Sequence, residues 1–321
     1  MQRRVLYTTR FPLMGGNATL RFTDDRGRER AEPIARAVED EARRIEAKFS
    51  RYREGSVISE INRYAGRTPV AVDRETEQLV LFALDLARIT RGRFDPTVGV
   101  LRRAWDFRAR RIPSAAEVAA LLPLVDAAAV SVRDRTVFLR RAGMELDLGG
   151  VGKEYAVDRA AEILQAEGIR AAVIDFAGDV RTLGMRGDGR PWAIGVVDPE
   201  DRRRCRFAVR AAGDCGVATS GVYERGFVSD GVRYHHILDA TTGWPARGLA
   251  SVTVVGRSTF RAGRFATAAF LLGADAGLAL LEKAGGIEGA LITEAGEVLA
   301  TTGMANVTDL PGGLFHGNPS I

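Results

Sequence analysis

An α+β fold, with mixed sheets and helices packed on them, is what this sequence predicts. Strand-like and helix-like segments come in irregular groups, without the regular βαβ order that builds a doubly wound sheet. The N-terminal half carries long stretches with apolar residues at helical spacing, while the second half carries short β-branched runs broken by turn pairs such as Asp230-Gly231. With 321 residues, 46% of them hydrophobic, the chain can bury a full core. No repeat, low-complexity tract or long Pro/Gly linker interrupts it, so a single domain over 1–321 is expected, any division into two closely packed lobes falling near 125–145.

Each element has its own signal. "RVLYTTRF" and "NATLRFT" read as strands around "MGG". "EPIARAVEDEARRIEAKF" repeats apolar residues at helical spacing and ends in the loop "SRYREGS"; a short helix through "ISEINRY" follows. "RETEQLVLFALDLARITRG" is a second long helix, stopped at Gly92, with Phe94, Asp95 and Pro96 at the corner after it. "AAVSV" and "TVFLR" read as a hairpin, "GKEYAVDRAAEILQAEG" as a capped helix and "RAAVIDF" as a buried strand. Strands continue through "WAIGVV", "RCRFAVR", "CGVAT" and the hairpin turned at Asp230-Gly231. After "SVTVV", the stretch "FRAGRFATAAF" opens a helix with Phe265, Ala268, Ala269 and Leu272 on one face. A helix through "ADAGLALLEKAG" and the strands "GALIT" and "EVLAT", separated at Gly296, complete the chain.

The formal charge of +5 is carried almost entirely by arginine, with Lys48, Lys153 and Lys283 the only lysines. The arginines are spread among acids, as in "EDEARRIEAK", with no aromatic platform beside them, which fits a solvated surface and argues against nucleic acid. No run approaches a membrane span, and the opening "MQRRVLYTTRFPLMGG" has neither a signal-length apolar stretch nor a lipid-attachment pattern. The expected location is therefore cytoplasmic, or periplasmic if a signal has been trimmed. Cys205 and Cys215 lack metal spacing and read as free thiols.

Four stretches concentrate glycine, acid and hydroxyl residues. In "ELDLGGVGKEYAVD", Asp147 is read as ending a short strand, and Gly149, Gly150 and Gly152 lead into a helix. Such glycines admit close backbone approach, and a helix N-terminus with Lys153 nearby favours phosphate, although a tight strand-to-helix turn uses the same residues. In "VIDFAGDVRTLG", Asp175 and Asp179 flank Gly178; in "VATSGVYERGF", Thr219, Ser220 and Gly221 read as a hydroxyl-rich turn able to donate to phosphate oxygens. "HHILDATTGWP" places His236, Asp239, Thr242 and Gly243 within eight residues; a histidine with an acid three residues on can serve as general base or simply satisfy a turn.

Taken in order, "MGGNATLRF", "KFSRYREGSVISEIN", "RFDPTVGVL", "LDLGGVGKEYAVD", "VATSGVYERGF" with "HHILDATTGWPA", and "FRAGRFATAAFLLG" resemble the FAD:protein FMN transferases, the ApbE family. The resemblance implies a T-fold-related α+β architecture with a flavin cleft between two lobes. It also implies cleavage of the FAD pyrophosphate, with FMN attached through a phosphoester to a threonine or serine of an acceptor flavoprotein bearing a Ser/Thr-Gly-Ala-Thr-like segment, AMP leaving and Mg²⁺ assisting. By the same resemblance, Met14, Tyr52, Arg93, Phe94, Asp95, Asp147, Lys153 and Leu238 fall at FAD-binding positions, and the hydroxyl residues Thr219, Ser220 and Thr242 are expected to bind the cofactor with them. His236, with Asp239 near it, falls on the catalytic histidine, and Thr267 with the backbone of Gly150 and Ala266 falls where magnesium is held.

The sequence departs from the family pattern at several positions. Gly263 stands where the family has an aspartate that ligates the metal; Val222, Ala240, Asp175 and Ala177 also differ from the usual residues. The missing anion implies weaker Mg²⁺ binding, or its replacement by Arg264 or Arg261, whose guanidinium groups can pair with phosphate oxygens. It also leaves open a chain that binds FAD without turnover, or one that hydrolyses FAD to FMN and AMP.

Overall fold

A computed structural model describes residues 5–223 and 225–309 of the chain. Eight strands form its principal sheet, and their order in space follows their order in sequence: Val5–Leu13, Gly16–Asp24, Ala172–Phe176, Asp179–Leu183, Cys215–Gly221, Leu249–Gly256, Ile287–Thr293 and Val298–Ala300. Every neighbouring pair is antiparallel. The opening hairpin turns at Met14 and Gly15, with φ of 50° and 77°, the double left-handed conformation that suits a two-residue hairpin. Asp230 and Gly231 repeat that geometry between Gly226–Ser229 and Val232–His235, as their sequence predicts.

The helices fill the intervals between strands. Between the second and third strands lie α1 (Arg28–Phe49), α2 (Val57–Arg63), α3 (Arg74–Ile89), α4 (Ala115–Leu121) and α5 (Gly152–Ala166), with a small sheet of Val70–Ala71, Val130–Arg133 and Thr136–Leu139. After the sixth strand come α6 (Thr259–Leu272) and α7 (Ala274–Lys283). Side-chain caps fix most starts: Ser56 on α2, Asp73 on α3, the Ser114–Glu117 capping box on α4 and Ser258 on α6. The cap expected on α5 is absent; Val151 occupies that place and makes no side-chain bond. The glycine-led start of α5 thus leaves its end open toward Gly149 and Gly150, both exposed.

Two apolar clusters flank the sheet. One joins the first strands to α1, α3 and α5 through Leu20, Phe22, Val38, Ile45 and Phe176; the other joins the later strands to α6 and α7 through Val252, Val254, Ala266 and Phe270. Burying a phenylalanine such as Phe22 or Phe270 contributes roughly 2–3 kcal/mol. Phe94 packs against both clusters and so sits at their junction. The buried face of α6 is Ala262, Gly263, Ala266, Ala269 and Phe270, whereas Phe265 and Leu272, expected inward, are half-buried; the close approach of α5 turns the small residues inward. Cys205 and Cys215 are free thiols. Among the described residues no helix is long and apolar enough to cross a membrane.

Candidate active site

The site grows from the open end of α5. Asp147 accepts from the backbone N–H of Gly149 at 2.8 Å and pairs with Arg51 at 3.1 Å, fixing the loop that carries Gly150. Asp147 does not end a strand as expected: its segment is irregular, and only Glu145 makes a lone bridge, to Val98. A Cβ at Gly150 would stand 3.1 Å from the Phe94 ring, so the glycine allows the loop to lie on that ring. Arg51 also donates to the Tyr52 hydroxyl at 3.0 Å and lies over its ring, bringing the exposed Tyr52 to the same edge.

In the first turn of α5, the Lys153 ammonium pairs with Asp179 at 2.8 Å and donates to the Ala177 carbonyl at 3.2 Å. Ala177 holds φ at 51°, beside Gly178 at 95°, and the Gly178 N–H is bonded by Asp175. Lys153 and Asp147 both act electrostatically on His236. His236 Nδ1 lies 3.2 Å from the Arg225 carbonyl, which can only accept, so Nδ1 carries the proton and Nε2 keeps its lone pair. Arg225 in turn donates to the Met14 carbonyl at 3.3 Å, which closes the ring of site residues. The imidazole is accessible to water yet enclosed by protein on several sides; that enclosure, then the Arg225 and Lys153 charges, lower its pKa to about 4.

Its neighbour His235 has a different task. Nε2 donates to the Ala246 carbonyl at 2.9 Å, Nδ1 accepts from the Ile237 N–H at 3.3 Å, and the ring is fully buried. Both nitrogens are used in holding the loop that presents His236.

Other expected site residues are held by contacts within the protein. Asp239 is not bonded to His236; its carboxylate takes Arg93 at 3.0 Å and the Thr241 N–H and hydroxyl at 2.9 and 2.6 Å. It therefore positions Arg93, which also reaches the Leu271 carbonyl. Asp95 is buried, accepting from the Thr97 N–H and hydroxyl and the Ala127 N–H. Leu238 packs against the small cluster of Val100, Leu101 and Trp105, and the Thr242 hydroxyl bonds within its own turn. Thr219 and Ser220 lie within the strand Cys215–Gly221, not in a turn; Thr219 meets Thr253 at 2.8 Å, and Ser220 meets Thr267 of α6 at 3.1 Å. Glu224 of that motif lies outside the described residues.

Both arginines of α6 have partners within the protein. Arg264 pairs with Asp85 of α3 and lies 5.0 Å over the Phe82 ring, and Arg261 donates to the carbonyls of Ala284 and Gly285. The space beside Gly263 is filled from α5: a Cβ there would stand 2.5 Å from Cγ and 2.6 Å from Oε1 of Glu154. Arg51, Arg225 and Glu154 belong to this site without standing out in any sequence motif. The only available signals were the neighbourhood of Tyr52 for the first and an acid in a glycine-led first turn for the last.

Residues 14–291 match the ApbE family. The chain belongs to that family. An FAD:protein FMN transferase of Treponema pallidum is 34% identical over 276 residues, 80% of this chain and 76% of that protein; one of Vibrio cholerae is 30% identical over 276 residues, 84% of this chain and 83% of the other. Among solved structures, an ApbE protein of Thermotoga maritima superposes with a TM-score of 0.85 at 34% identity, covering 94% of this chain and 99% of the other. The flavin transferase ApbE of Vibrio cholerae gives 0.86 at 28%, covering 95% and 100%. The expected α+β architecture is that of these ApbE-family proteins.

Proposed function

We propose that this ApbE-family chain is an FAD:protein FMN transferase, as its relatives are named, acting on a threonine or serine of an acceptor flavoprotein. The observation that carries the reading is the neutral His236, its Nδ1 proton committed to the Arg225 carbonyl and its Nε2 without a hydrogen bond among the described residues, within electrostatic reach of Lys153 and Asp147. The acceptor hydroxyl oxygen forms a bond to the FMN phosphorus, the bond from that phosphorus to the AMP oxygen breaks, and His236 Nε2 takes the hydroxyl proton. The open end of α5 and Lys153 receive the pyrophosphate, Phe94 and Tyr52 flank the flavin edge, and Arg93 is held in place by Asp239.

A hard divalent cation fits the oxygen-rich corner between α5 and α6, where the Thr267 hydroxyl and the backbone carbonyls of Gly150 and Ala266 would hold it beside an unpartnered buried carboxylate oxygen of Glu154. When bound, Mg²⁺ supplies positive charge to the pyrophosphate oxygens.

The test incubates the purified chain with FAD, Mg²⁺ and a domain bearing the Ser/Thr-Gly-Ala-Thr-like segment, following AMP and covalent flavin by mass spectrometry. Flavin on the acceptor is expected. AMP without modified acceptor would make the chain an FAD hydrolase, and uncleaved FAD under every condition would make it a binding protein. His236→Ala is expected to lower transfer on the order of 10²–10⁴-fold with FAD binding kept; undiminished transfer would remove His236 as base. Since His236 stays neutral down to about pH 4, the acid limb of kcat/KM is expected near there, below the ordinary histidine value.

A further inference from the structure

We infer that Glu154 is the carboxylate ligand of the divalent cation, supplied from α5 into the space that Gly263 leaves open on α6. Glu154 lies in the first turn of α5 and is 8% exposed; its Oε2 is buried without a hydrogen-bond partner among the described residues. A carboxylate in such a place costs free energy unless a donor or a cation meets it. The neighbouring groups meet that need only in part: Lys153 acts on Glu154 through its charge, but its ammonium is paired with Asp179 at 2.8 Å, and Asp158 is used by the Thr259 and Phe260 N–H groups at 3.0 and 2.9 Å.

The contact with Gly263 gives the carboxylate its address. Any side chain at 263 would begin where the Glu154 carboxyl now lies, so the two positions share one volume. Gly263 precedes Thr267 by one helical turn, and the Thr267 hydroxyl meets Ser220 at 3.1 Å on that side of the strand. Asp158 bonded to the first two N–H groups of α6 pins the helices together, so Glu154 faces position 263 in a fixed register. Among the described residues no three His, Cys, Asp or Glu side chains form a metal cluster. That suits a cation of the magnesium kind, held by one or two carboxylates and completed by hydroxyl, carbonyl and phosphate oxygens.

This inference rests on the flavin-transferase reading for the presence of a cation, and its test reads the metal directly. Mn²⁺ is titrated into the full chain with FAD and no acceptor, and free Mn²⁺ is followed by electron paramagnetic resonance. Glu154→Gln, nearly isosteric, is expected to weaken Mn²⁺ binding at least about tenfold with an unchanged circular dichroism spectrum. Glu154→Gly is expected to lose binding similarly, and the double variant Glu154→Gly with Gly263→Asp, which moves the carboxylate from one helix to the other, to recover it. Affinity within about twofold of the parent in folded Glu154→Gln overturns the assignment, as does a double variant no better than Glu154→Gly. Absence of Mn²⁺ binding to the parent also overturns it, while flavin transfer stands or falls on its own assay.

Discussion

Two buried carboxylates, one at the corner after α3 and one at the start of α5, show how differently the same chemistry can be used. Asp95 is 6% exposed and Glu154 is 8% exposed, and burial raises the pKa of both. Asp95 is surrounded by donors: the Thr97 N–H at 2.7 Å, the Thr97 hydroxyl at 2.6 Å and the Ala127 N–H at 2.7 Å. Glu154 is packed against the bare backbone of Gly263 and leaves Oε2 unbonded. A buried acid with its donors in place is a staple of the loop. One without them keeps capacity for a proton or a cation.

The largest effect that would test this contrast is expected at Asp95. Asp95→Ala leaves two N–H groups and a hydroxyl without their acceptor and should cost roughly 3–5 kcal/mol in urea unfolding. A loss below about 1 kcal/mol would put Asp95 in the same class as Glu154. Next comes Gly263→Asp alone. Family resemblance suggests that restoring this aspartate would strengthen metal binding, but here its Cβ meets Glu154, so a destabilisation of roughly 1–3 kcal/mol is expected, relieved when Glu154→Gly is added. If the single variant is as stable as the parent, the two side chains do not compete for one volume.

The smallest effect sharpens the comparison most. Glu154→Gln replaces a carboxyl whose Oε2 has no donor among the described residues, so the metal-free protein should be unchanged or up to about 1 kcal/mol more stable at neutral pH. Its pH dependence should change as well. Burial, with the neighbouring Asp179, raises the Glu154 pKa above its ordinary 4.5, so the folded state holds a proton that the unfolded state has released. That contribution is complete below the ordinary value and is lost as pH rises from about 4.5 through the raised one. Metal-free parent protein should therefore lose stability over that range in urea melts, and the Gln variant should lose less. Parallel profiles would mean that Glu154 is solvated.

Much of the site was legible because its chemistry is local. His236, Lys153, Asp147 and Gly150 stand in short motifs whose residue types suit phosphate and proton transfer, and the structure brings His236 within electrostatic reach of Lys153 and Asp147. Asp95 and Asp239 lie in equally polar motifs and bond Thr97 and Thr241 two positions on, but their further partners, Ala127 and Arg93, are distant in the chain. Nothing within a motif tells whether an acid will face the cleft or the loop behind it. Arg264 likewise looked available for phosphate until α3 supplied Asp85.

The sequence by itself determined the helices, hairpins and family, because periodicity, turn residues and caps act over a few neighbours. It also determined that position 263 has no side chain. Only the tertiary structure decided what that means. Two helices joined through Asp158 bring Glu154, 109 positions earlier in the chain, into the vacated volume, and close packing lets one side chain occupy it. Burial and the lack of donors are properties of that meeting and of neither segment alone.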